Sequence, residues 1–149
     1  MNYICNCNRK KLFDKSYTYW EDRAVTTDEL GIIDFLDNEK DIKFKSVLHI
    51  GIGNSYFAKK FAKRFNITGI TISEKEVKKA NSMNLINYQA YLLDKYSSQF
   101  KNFLDKNTFD LIIDTNLKSY TCCQETFEFM IRNIFKSINP NGMLITSIN

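Results

Sequence analysis

From Ser46 to the last residue, short apolar runs alternate with segments whose apolar residues recur at helical spacing. The first run, Val47-Leu48-His49-Ile50, is nearly continuous and stops at Gly51. A run of that length suits a strand buried on both faces. Phe57, Ala58, Phe61, Ala62 and Phe65 follow on one helical face, with Lys59, Lys60, Lys63 and Arg64 on the other. Ile67 to Ile72 is β-branched apart from Gly69 and predicts the second strand. Ser73 and Glu76 have the spacing of a capping box for a helix to about Met83. Tyr88 to Leu93 reads as a third strand, and Phe100, Phe103 and Leu104 as a short helix. Phe109 to Asp114 is a fourth strand. Phe127, Met130, Ile131, Ile134, Phe135 and Ile138 mark the clearest amphipathic helix, broken by Asn139-Pro140-Asn141-Gly142 ahead of a fifth strand from Met143 to Ile148.

Strands alternating with helices predict an α/β fold: a doubly wound, mostly parallel sheet with helices on both faces, because each right-handed crossover packs back onto the sheet. Ahead of it, residues 1–45 read as an N-terminal helical segment or lid on a domain spanning 46–149, the whole forming one compact unit. Thr27 or Asp28 is placed to cap a helix through Leu30, Ile33, Phe35 and Leu36.

The chain has 149 residues, 44% hydrophobic and 26% charged, which fits a globular protein and excludes a disordered tail or a fibre. No apolar run approaches the ~20 residues of a membrane span, and no signal peptide is evident. A net charge of +4, with lysines dispersed among acids, gives no footprint for nucleic acid. Cys5, Cys7, Cys122 and Cys123 lack disulfide-like or zinc-knuckle spacing. They point to a reduced, cytoplasmic chain with no metal.

In sheets of this kind a ligand binds at the carboxyl ends of the strands. There the chain places Gly51-Ile52-Gly53-Asn54-Ser55-Tyr56, a turn with room for close approach to the backbone, followed by a helix start. A dinucleotide fingerprint would need a third glycine where Tyr56 stands, and an acid after the second strand where Thr71 or Ser73 stands. Lys75, Lys78 and Lys79 leave an NADP-dependent reductase as one alternative, through the 2′-phosphate.

Val47-Leu48-His49-Ile50-Gly51-Ile52-Gly53-Asn54-Ser55 resembles the first motif of class I S-adenosylmethionine-dependent methyltransferases, V-L-E-I-G-x-G-x-G. Asn66 to Ala80, with Thr68 to Ser73 at its centre, looks like the second motif of the branch containing cyclopropane-fatty-acid and mycolic-acid synthases, which commonly has Thr at position 71. Phe109 to Asp114 resembles the fourth motif, and Ile138 to Ile145 the L-K-P-G-G-x-L-I stretch. Tyr19-Trp20-Glu21-Asp22-Arg23 looks like the Y-W-x-x-R opening. The resemblance covers residues 17 to 149 and implies strand order 3-2-1-4-5, with strands six and seven of the family missing. Either the chain is shortened or naturally minimal, or a second copy covers the exposed fifth-strand edge.

The resemblance implies a methyl transfer from S-adenosylmethionine to a small-molecule acceptor. The glycine bend would hold the methionine part and position 71 the ribose. The implied cofactor-contacting residues are His49, Gly51, Gly53, Asn54, Ser55, Thr71, Ile72 and Asp94, with Trp20 as a lid. Asp94 would meet adenine. Asp114, at the fourth-strand exit, would act as a general base or orient the acceptor's hydroxyl or amine. His49 stands where the family has an acid that faces the cationic end of the cofactor; protonated there, it would oppose binding. His49 and the absent strands keep a second alternative open, a non-catalytic binding or assembly module.

Overall fold

A computed structural model describes residues 24–39 and 41–147. Trp20, the expected lid residue, lies outside the described residues, as do Cys5 and Cys7. The element order is α1 (Thr27–Asn38), β1 (Ser46–Ile50), α2 (Tyr56–Phe61), β2 (Asn66–Thr71), α3 (Glu74–Ser82), β3 (Tyr88–Leu92), α4 (Ser98–Leu104), β4 (Phe109–Asp114), α5 (Gln124–Lys136) and β5 (Ile138–Thr146).

The strands form one sheet in the order β3-β2-β1-β4-β5, every neighbouring pair parallel. Alternate residues of each strand face opposite sides. Val47, Ile67, Leu111 and Ile113 pack with Ile33 and Leu36 of α1, Phe57 and Phe61 of α2 and Ala80 of α3. Leu48, Ile50, Ile70 and Ile112 pack with Phe100 and Leu104 of α4 and Met130 and Ile134 of α5. Both faces of the central strands are therefore covered, which is why they read as continuous apolar runs rather than alternating ones.

Two local expectations shift. The cap of α1 is Thr26, whose hydroxyl accepts the Glu29 amide, one residue before the expected position. The Asn139–Gly142 break lies inside β5, which begins at Ile138 opposite Phe109 and resumes its register at Leu111–Met143 after an irregularity. Asp110 organises this corner. Its Oδ2 accepts from the Lys45 amide (2.8 Å), the Ser46 amide (2.9 Å) and the Ser46 hydroxyl (3.1 Å), and its Oδ1 from the Asn139 side chain (2.8 Å). One carboxylate thus ties the start of β1 and the irregular part of β5 to β4. Gly142 is required here: a Cβ would stand 2.7 Å from the Asp110 carbonyl oxygen.

Candidate active site

The strand order reverses between β1, which leads outward through β2 to β3, and β4. At the carboxyl ends of β1, β2 and β4 the backbone opens into a cleft of about 450 Å³. That volume falls in the range of small-molecule sites. Gly51, with φ +78°, and Gly53, with φ +50°, bend the chain away from β1, and the space where their Cβ atoms would stand is empty. Ser55 also adopts a left-handed conformation, φ 61°, which explains why glycine suits that position in the resembled motif.

The cleft collects His49, Gly51, Gly53, Asn54, Thr71, Ile72, Asp94 and Asp114, eight of the residues singled out from the sequence. Ser55 is not among the lining residues. It is buried, and its hydroxyl shares a 2.8 Å hydrogen bond with the Tyr88 hydroxyl, which spans α2's start and β3. Trp20 lies outside the described residues. Lys75, Lys78 and Lys79 are exposed on α3 and none lines the cleft.

His49 is only 5% exposed, its ring set edge-on to Phe57 with centroids 5.3 Å apart. Burial lowers its pKa from 6.5 to about 4. The ring is therefore neutral at physiological pH and places no positive charge in the cleft. The expected conflict between a protonated His49 and a cationic ligand does not arise.

Three carboxylates bear on the cleft in ways the sequence left unread. Glu76, from the first turn of α3, was expected to complete a capping box. Ser73 does accept the Glu76 amide (3.4 Å), but the Glu76 carboxylate turns inward and accepts a 2.5 Å hydrogen bond from Thr71. The Ser73 amide goes to Thr71 Oγ1 instead (3.1 Å). Glu76 is 6% exposed, and burial pushes its carboxyl up against the opposing hydrogen bond from Thr71. Glu29 reaches the cleft from the first turn of α1, and its Oε1 accepts the Phe57 amide (3.2 Å). Burial raises its pKa as well, with the Phe57 amide opposing.

The third is Asp114, 1% exposed. Its Oδ2 accepts from Lys95 Nζ (2.7 Å) and its Oδ1 from the Asn116 amide (3.1 Å). Lys95 Nζ also donates to the carbonyls of Asn116 (2.7 Å) and Leu117 (3.1 Å), so the ammonium clamps the β4 exit. Both oxygens of Asp114 are thus engaged. Asp94 is buried, with Oδ1 accepting the Tyr96 amide (2.9 Å).

Residues 47–142 match the family model for a methyltransferase domain. The chain belongs to the methyltransferase domain family. Solved structures share its fold. N-methyltransferase NodS from Bradyrhizobium japonicum WM9 superposes with a TM-score of 0.63 at 19% identity, over 80% of this chain and 67% of NodS. Coclaurine N-methyltransferase bound to N-methylheliamine and SAH gives 0.59 at 22% identity, over 86% of this chain and 39% of that one. SAM-bound CalS10, an amino pentose methyltransferase from Micromonospora echinaspora, gives 0.60 at 16% identity, over 87% and 51%. The chain thus spans about two fifths and about half of the two larger relatives. No curated protein matches it. Among the described residues no helix is long and apolar enough to cross a membrane.

Proposed function

We propose that this domain binds S-adenosylmethionine and transfers its methyl group to a small-molecule acceptor. The observation that carries the reading is the cleft at the turn of the sheet. Its floor is a double-glycine bend with open space, and its walls bring in buried carboxylates. Such walls suit a ligand with a hydroxylated, cationic character. Gly51 and Gly53 would let the methionine part lie against the backbone. Thr71 and Glu76, joined by their hydrogen bond, would face the ribose hydroxyls, and Asp94 the adenine. The relatives bound to SAM or SAH support the assignment.

Bound, the cofactor supplies an electrophilic methyl on a sulfonium, and the protein's part is mainly alignment. Neutral His49 and the apolar rings beside it exclude water without adding positive charge. Asp114, held by Lys95, would accept a hydrogen bond from the acceptor's amine or hydroxyl and orient its lone pair toward the methyl.

Calorimetry with S-adenosylhomocysteine and NADPH tests the reading. Micromolar affinity for S-adenosylhomocysteine and none for NADPH is expected. Binding of NADPH alone, or of neither, overturns it.

A further inference from the structure

Position 49 carries no acid, yet the cleft does not lack a carboxylate beside the glycine bend. It comes from a different element. Glu29 sits in the first turn of α1 and lines the cleft together with His49, Gly51, Gly53 and Phe57. Its Oε1 accepts the amide of Phe57, in the first turn of the helix that follows the bend, and the Phe57 ring rests on His49. Glu29 is thus joined through one residue to the site of the missing acid.

The other carboxylates of the cleft are held by a cation or by a neighbour close in sequence, whereas the Phe57 amide is 28 residues from Glu29. Glu76 accepts from Thr71, Asp114 from Lys95, and Asp94 from the Tyr96 amide. Glu29 accepts one backbone amide, and among the described residues no cation pairs with it. Its carboxyl is raised by burial with only that amide opposing. A carboxylate drawn out of water without a cation is strained electrostatically, and a ligand ammonium beside it would relieve that strain.

We propose that Glu29 takes the α-amino group of the cofactor's methionine part, so that α1 supplies the charge that β1 does not. This rests on the methyltransferase reading above. It makes Glu29 a binding residue, and it gives α1 a role in cofactor recognition beyond covering the sheet.

The test uses the whole chain and two ligands, S-adenosylhomocysteine and its desamino analogue, titrated by calorimetry into the wild type and Glu29→Gln. Gln retains a side-chain oxygen for the Phe57 amide. The wild type should prefer S-adenosylhomocysteine by about ten- to a hundredfold, the worth of one charge-assisted hydrogen bond. Glu29→Gln should weaken S-adenosylhomocysteine, leave the desamino analogue unchanged, and so close most of that gap. A variant that keeps the wild-type preference overturns the proposal and leaves the methyltransferase reading standing. Equal affinity of the wild type for the two ligands overturns it too, whether or not the variant folds. A wild type that binds neither ligand overturns both readings.

Discussion

The charge state of His49 decides whether the cleft suits a cationic ligand, and it has a thermodynamic signature. The perturbation is His49→Gln, which keeps a polar side chain but removes the titration. Burial depresses the folded pKa from 6.5 to about 4. For a group depressed on folding, the linked stability is fully present above the unfolded value and is lost as pH falls through the folded one. The whole shift corresponds to roughly 3 kcal/mol. About 2 kcal/mol of it falls between pH 7 and pH 5, because the unfolded ring is then protonated and the folded ring is not. Urea unfolding of both proteins at those two pH values measures it. The wild type should lose about 2 kcal/mol more than the variant over that interval. Glu29 and Glu76 act in the opposite sense: their raised folded pKa values add stability as pH falls. Both are present in wild type and variant, so their effect largely cancels in the difference. Parallel losses in the two proteins would show that the folded ring titrates as it does in water, and the neutral-His49 argument would fail.

Lys95→Met leaves the carboxylate of Asp114 buried without its cation, at a cost of about 3–5 kcal/mol. Thermal unfolding should register a drop of roughly 10 °C, and Lys95→Met/Asp114→Leu should recover part of it; a larger drop in the double variant would refute the pairing argument. Thr71→Val removes the donor to Glu76 and the acceptor for the Ser73 amide. S-adenosylhomocysteine affinity should fall about tenfold, with a stability loss of about 1–3 kcal/mol, and unchanged binding in calorimetry would separate Thr71 from the ligand. Asp110→Ala cuts the ties between β1, β4 and β5. Burial pushes the Asp110 carboxyl up, but its hydrogen bonds from Asn139, Ser46 and Lys45 outweigh that and hold it at about 2 instead of 3.8. The stability gap between wild type and variant, about 1–2 kcal/mol for a partly buried carboxyl, should be fullest above pH 4 and shrink as pH falls toward 2; a gap independent of pH would contradict the assignment.

The sequence by itself determined the alternation of strands and helices. Its signals are local: apolar runs, helical periodicity, and Ser73 placed to cap a helix. Parallel strands with right-handed crossovers then leave few arrangements, and the resemblance of the glycine bend narrowed them to the observed order. The bend and Asp114 were legible because strand ends in such a sheet converge on one place, and Thr71 and Asp94 through the family resemblance. Only the tertiary structure decided what those residues touch. Glu76 looked like half of a capping box, since its spacing from Ser73 fits one; the depth of Thr71 beneath it turns the carboxylate inward instead. Glu29 carried no signal, because nothing local brings α1 to the start of α2, 28 residues away. The Lys95–Asp114 pair closes across 19 residues. In one dimension His49 read as a strand residue that would oppose a cation if it were protonated. In three it is neutral, because the free energy of its proton depends on the water around the ring, and packing against Phe57 has removed that water.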